Sequence, residues 1–181
     1  YKVNDDLAVG LGVNTPYGNS LKWEDDWAGK YLINSIALQS IVIQPTVSYK
    51  INDWLSAGAG LMIGLNSVEL NKSLPATGVD GDGETTLEGS TTTFGVNAGF
   101  MFTITDELTA GISYRSQMKA KVTDGTAKNE VPDAVGQYFP AETGFSATLP
   151  LPNNYNFGLS YKVTEKLLVA LDVHYVQWDV Y

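Results

Sequence analysis

The chain has 181 residues, 44% of them hydrophobic but only 17% charged, with 11 basic against 20 acidic side chains and a net charge of −9. That balance excludes the basic footprint of a nucleic-acid binder, and the lack of cysteine excludes disulfide frameworks, thiolate metal sites and thiol catalysis. No apolar run approaches the ~18–20 residues of a membrane helix, which excludes a helical membrane protein but not a β-barrel, whose strands hide an apolar face in alternation.

The first run, Leu7 to Val13, alternates Leu7, Val9, Leu11 and Val13 against Ala8, Gly10 and Gly12. Ile41, Ile43, Val47 and Tyr49 follow, then Leu55 to Leu65 with Ser56, Gly58, Gly60, Met62 and Gly64 on the other face. Phe94, Val96, Ala98, Phe100 and Phe102 oppose Thr93, Gly95, Asn97 and Gly99. Next, Ile112, Tyr114, Met118 and Ala120 oppose Ser113, Arg115, Gln117 and Lys119. Tyr155 to Tyr161 and Leu167 to Tyr175 complete the series, the last with Asp172 and His174 on its polar face. Period two throughout predicts an all-β fold of about seven strands.

A short motif separates the runs: a branched aliphatic, then Asn or Thr, an acid, any residue and Leu. It reads Val3-Asn4-Asp5-Asp6-Leu7, Ile51-Asn52-Asp53-Trp54-Leu55, Ile104-Thr105-Asp106-Glu107-Leu108 and Val163-Thr164-Glu165-Lys166-Leu167. Asn and Thr bond their own backbone, so each copy predicts a tight turn. The other connections, about 14–35, 66–92 and 122–152, are long and rich in Gly, Pro, Asp and Thr. Short turns at one end and long loops at the other are the layout of an antiparallel transmembrane barrel. Tyr49, Phe102 and Tyr161, just before short turns, suit a lower aromatic girdle, and Tyr114 and Tyr175 lie higher on the same face. A soluble β-sandwich or lipocalin-like barrel has the same period. The polar face is dense in Gly, Ser, Thr, Asn and Gln rather than Lys and Glu, which favours lipid on the apolar side.

Leu11-Gly12-Val13-Asn14-Thr15-Pro16-Tyr17-Gly18 and Asp25-Asp26-Trp27-Ala28-Gly29-Lys30-Tyr31 resemble the FadL/TodX family of outer-membrane transporters for long-chain fatty acids and other hydrophobic compounds. The resemblance continues through Ile43-Gln44-Pro45-Thr46-Val47-Ser48-Tyr49-Lys50-Ile51-Asn52-Asp53, Gly111-Ile112-Ser113-Tyr114-Arg115-Ser116, Leu149-Pro150-Leu151-Pro152 and Val173-His174-Tyr175-Val176-Gln177-Trp178. It implies a fourteen-stranded barrel with an N-terminal plug, of which about seven strands are present here. On that reading the chain is a piece of a longer protein.

The resemblance further implies capture of ligand between two outer loops, a pocket inside the barrel and lateral exit through a kinked strand. By position the capturing loops are 66–92 and 122–152, with Leu70, Leu74, Val79, Leu87, Val131, Val135, Tyr138, Phe139, Phe145, Leu149 and Leu151 as the greasy surface; packing of one loop on the other is the alternative use of these side chains. Arg115, Lys119 and Lys121 share a polar face, where a cation gains a charge-assisted hydrogen bond from a fatty carboxylate; ion pairs with acids such as Asp172 are the alternative. Ser67 and Glu69 stand where the family often carries basic residues, which leaves non-acidic cargo open. Met62, Asn97, Gln117 and His174 are expected to line the lumen. Asp80, Asp82 and Glu84 lack the full spacing of a calcium loop and read as a solvated acidic loop. No nucleophile–base pair points to an enzyme, and no cofactor or metal is called for. The expected partners are outer-membrane lipid and a long-chain fatty acid or other hydrophobic small molecule; the readings held against transport are an adhesive or structural outer-membrane barrel and a soluble lipid-binding β-protein.

Overall fold

Three of the four copies of the repeated motif fold into one turn geometry, and a single side-chain oxygen explains it. In the computed structural model, which describes residues 1–75 and 81–180, Asn4 Oδ1 accepts hydrogen bonds from the amides of Asp6 (3.0 Å) and Leu7 (2.8 Å). Asn52 Oδ1 does the same for Trp54 (3.0 Å) and Leu55 (2.8 Å), and Thr105 Oγ1 for Glu107 (3.2 Å) and Leu108 (3.1 Å). In the fourth copy Thr164 Oγ1 accepts from the Lys166 amide at 3.2 Å. Each oxygen satisfies amides that a two-strand ladder leaves over at its end. Asn52→Ala is therefore expected to destabilise the barrel by about 1 kcal/mol, read from denaturant unfolding in vesicles; an unchanged midpoint would remove this account of the turn.

Nine strands result among the described residues: β1 (Leu7–Lys22), β2 (Ser35–Lys50), β3 (Leu55–Leu74), β4 (Gly83–Thr103), β5 (Leu108–Arg115), β6 (Met118–Glu130), β7 (Glu142–Leu151), β8 (Asn154–Thr164) and β9 (Leu167–Val176). All pairings are antiparallel. Seven strands form the continuous path β1-β2-β3-β4-β5-β8-β9, an open half-barrel, while β6 and β7 form a hairpin that rejoins β4 higher up. The long connections are largely strand: β3 and β4 pair from Leu55↔Phe102 up to Leu74↔Gly83, and β6 pairs β7 from Met118↔Leu151 to Lys128↔Glu142. Their Thr, Ser and Gly content reads as loop in the sequence, but the ladder extends through it. Val79 and Asp80 lie outside the described residues.

The apolar face is the exposed, outer one. Leu61 is 59% and Phe94 73% exposed, and Leu11, Val13, Leu171 and Tyr175 are exposed with them. Tyr114, Tyr155 and Tyr175 stand in register across β5, β8 and β9, with ring centroids 5.0 and 6.0 Å apart. Trp54 stacks on Phe102 at 6.4 Å in the lower girdle.

The structure corrects one strand. The expected run through Ile112, Tyr114, Met118 and Ala120 is two strands, because the chain bends inward at Ser116 and Gln117. Ser116 bonds Val96 through both its amide (2.9 Å) and its hydroxyl (2.9 Å), and the Gln117 amide donates to Asn153 Oδ1 at 2.7 Å. Beyond the bend the even-numbered side chains no longer meet lipid. Met118, Ala120 and Val122 are buried instead.

Candidate functional site

The inner face is layered. Nearest the short turns, the concave side of the sheet borders an open cavity of about 650 Å³, lined on its polar face by Gln44, Thr46, Ser48, Asn97, Ser113 and Arg115. Asn97 and Arg115 face each other across the β4–β5 ladder, so both project to the same side. Among the described residues, Asn14 Oδ1, Gln44 Oε1 and Asn97 Nδ2 are buried polar atoms with no hydrogen-bond partner.

One rung above, an apolar core closes the interior. Val42, Met62, Met118 and Leu151 are 1–3% exposed, and Tyr17 and Leu149 pack against them. Glycines make the space: a Cβ at Gly95 would lie 2.8 Å from both Met118 Cγ and Met62 Cε, and one at Gly89 2.5 Å from Val122 Cγ1. The inward hairpin thus seats its methionine and valine in the inner wall of β4. A polar tie crosses the interior at this level. The Tyr17 hydroxyl donates to the Pro152 carbonyl at 3.0 Å and accepts from Asn154 Nδ2 at 2.8 Å.

The residues singled out by sequence are placed as follows. Arg115 is half-buried at the rim of the cavity. Lys119 and Lys121 alternate with the buried Met118, Ala120 and Val122 and are exposed on the opposite side of the hairpin. None of the four ion pairs among the described residues involves these three cations. Met62 is on the inner face, but sealed under Met118 rather than lining open space. Gln117 is held at the bend. His174 Nδ1 lies 2.7 Å from Asn156 Oδ1, and Asn156 Nδ2 donates to Ser113 Oγ at 3.0 Å, a polar row on the inner face.

The greasy residues divide. Leu70 and Leu87 are cross-strand partners, with Ala127 next across β6. Leu74 ends β3, Phe145 covers Gly125, and Leu149 belongs to the core. Tyr138 and Phe139 are exposed at the hairpin tip, on a 3-10 turn over Gly136–Tyr138. Leu151, expected on the greasy surface of the 122–152 connection, is buried in the core instead. Tyr17 was not singled out as a site residue by sequence; the resemblance over Leu11–Gly18 was the signal nearest to it.

The first outer connection folds onto the top of β3. Trp23 and Trp27 stack at 4.7 Å, and the Ser73 amide donates to the Lys30 carbonyl at 2.9 Å. Lys30 Nζ bonds Asp82 at 2.7 Å, and that hydrogen bond raises the lysine above its ordinary value. The tie is therefore complete at neutral pH and is lost only as pH rises through the raised value.

A curved antiparallel sheet with an apolar belt outside, aromatic girdles and a polar interior defines an outer-membrane β-barrel. The chain belongs to the outer membrane protein transport protein family (OMPP1/FadL/TodX), whose model matches residues 1–181. It is 26% identical to a 47 kDa outer membrane protein of Pasteurella multocida, over 99% of this chain and 47% of that protein. A FadL homologue of Pseudomonas aeruginosa superposes with a TM-score of 0.86 at 20% identity, covering 98% of this chain and 47% of the other. The toluene transporter TbuX of Ralstonia pickettii gives 0.74 at 15% identity, over 98% and 53% of the two chains. The chain thus spans about half the length of the relatives it matches.

Proposed function

We propose that this chain forms the wall and interior of a passive outer-membrane channel for hydrophobic compounds, long-chain fatty acids among them. The observation that carries the reading is the 650 Å³ cavity with Arg115 at its rim, directly beneath an apolar core. Cargo lands on the outer projections around Leu70, Leu74, Leu87, Tyr138, Phe139 and Phe145, passes the core at Leu149 and Met62, and presents its head group to Arg115. Lys119, on the exposed side of the hairpin, meets an acidic head group on the way. Asn97, Gln117 and His174 supply polar lining, and the unpaired oxygens and amide of Asn14, Gln44 and Asn97 favour a site that accommodates polar groups or water. No energy source or cofactor enters, and exit is lateral into the bilayer.

The test is uptake of oleate and of toluene by cells carrying the protein or its Arg115→Ala variant. Loss of a charge-assisted hydrogen bond, worth about 1.5–3 kcal/mol, lowers oleate uptake roughly tenfold or more while toluene uptake holds. Unchanged oleate uptake would remove Arg115 from the site.

A further inference from the structure

We propose that the outer end of β1–β4 carries a saccharide-binding site, built between the first outer connection and the wall beneath it. The site takes an uncharged sugar and lies apart from the channel interior. The wall supplies one rung across four strands: Lys22 pairs with Ser35, Ser35 with Asn71 and Asn71 with Thr86. Asn71 is six residues beyond Leu65 in β3, so period two puts it on the same outward face. Leu65 is the last exposed aliphatic side chain on that face of β3, and Ser67, Glu69, Asn71 and Ser73 follow it. The step from Leu65 to Asn71 is roughly 20 Å of strand and, at a ~40° tilt, about 15 Å of height. The rung therefore stands clear of the apolar belt, among head groups and water.

The connection folds over this rung and is held there by its own backbone. The Trp23 amide donates to the Asn34 carbonyl at 2.8 Å, and the Asn34 amide to the Asn71 carbonyl at 2.7 Å. Trp27 is pinned by its indole N–H, which donates to the Ile33 carbonyl at 2.9 Å, and Trp23 stacks on it. Between connection and wall lies a cavity of about 440 Å³, within the usual range for a small-molecule site. Lys22, Trp23, Asp25, Asn34, Asn71 and Glu84 border it, together with the Lys30–Asp82 pair.

Trp23 is the one apolar side chain among the described residues of that lining, so hydrocarbon cargo finds little to bury against. A sugar ring fits better, because it joins an apolar C–H face to a rim of hydroxyls, each both donor and acceptor. Trp23 is 43% exposed although Trp27 covers one of its faces, which leaves indole surface for a C–H face. The polar groups around it are of both kinds, and several are not committed elsewhere. Asn34 donates through Nδ2 to Ser73 Oγ at 3.0 Å, while its Oδ1 is a buried atom with no hydrogen-bond partner. Lys22 and Asp25 enter none of the four ion pairs among the described residues. Sugar hydroxyls can thus donate to Asn34 Oδ1 and to Asp25 and accept from Lys22 Nζ, the last two being charge-assisted bonds of the stronger kind. Charge then sets the class of sugar. Asp25, Asp82 and Glu84 outnumber Lys22 and Lys30, so an acidic sugar is repelled where an uncharged one is not.

The test is an array of uncharged and acidic saccharides probed with the full-length protein in phospholipid nanodiscs, followed by titration of the sugars that bind. At least one uncharged sugar is expected to bind with a Kd of about 1 mM or tighter, and its uronic-acid counterpart at least tenfold more weakly. Trp23→Ala and Asp25→Ala are each expected to weaken binding of the uncharged sugar at least tenfold, while Trp23→Tyr, which keeps a stacking ring, retains it. Asp25 is exposed, so a loss on its truncation is not a loss of fold. Repeating the titration in nanodiscs that contain lipopolysaccharide reads the source of the sugar. Competition assigns the site to the membrane's own head groups, and unchanged binding assigns it to free saccharide; both results keep the site. No binding across the array, binding that ignores both alanine substitutions, or an acidic sugar held as tightly as its uncharged counterpart overturns the proposal.

Discussion

Met118→Ala is expected to destabilise the folded protein by about 2–5 kcal/mol, the range for truncating a fully buried methionine. Met118 is 1% exposed and meets Met62, Val42 and Leu151 from three different strands. The site cannot collapse around the loss. Gly95 and Gly64 offer no side chains to move in, and the wall behind them is fixed by the β3–β4 ladder. Lys119→Ala, one residue on and exposed, sets the reference, since surface substitutions usually fall within ~0.5 kcal/mol. Denaturant unfolding in lipid vesicles decides it. Equal midpoints for the two variants would mean that the hairpin is not seated on the inner wall.

Leu61→Arg should cost about 2–4 kcal/mol, as a cation on the lipid face near the bilayer midplane does. Leu61 is six residues above Leu55 in β3, roughly 20 Å along the strand and about 15 Å up the ~25 Å apolar band. Its 59% exposure makes the measurement discriminating. In a water-soluble sheet an exposed Leu→Arg change is close to neutral; in lipid it is among the costliest on the surface. A loss below ~0.5 kcal/mol in vesicles would mean that this face does not meet hydrocarbon. Ser48→Arg, at an exposed position on the inner cavity, is the matched substitution that lipid does not penalise.

The sheet was readable because its determinants are local. Alternation marks each strand, and Asn4, Asn52 and Thr105 carry in one side chain the oxygen that closes each turn. The inward hairpin was hidden because period two continues through it unbroken: Ile112, Tyr114, Met118 and Ala120 keep their parity whether the strand stays in the wall or bends behind it. What decides the bend lies on other strands. Gly64, Gly89 and Gly95 make room for Met118 and Val122, and Asn153 holds the Gln117 amide from 36 residues away. Arg115 and Asn97 were legible as inward residues since parity alone places them, whereas Tyr17 could be assigned no role without knowing what faces it. The capture surface was read from Thr-, Ser- and Gly-rich composition as two loops with a groove between them. It is one sheet, because β4 and β6 pair from Glu84↔Glu130 to Glu88↔Thr126.

The Tyr17 tie also has a place in time. Hairpins closed by their own turn oxygens need only short loops and form on the scale of microseconds, so most of the sheet can assemble from neighbours in sequence. Tyr17 reaches Pro152 and Asn154 across 135 and 137 residues, a contact that no local step can bring together. It can be made only after the strands between have curved into a wall. The hydrogen bond that ties β1 to the base of the hairpin is thus a late event of assembly, and the interior stays open until the wall around it exists.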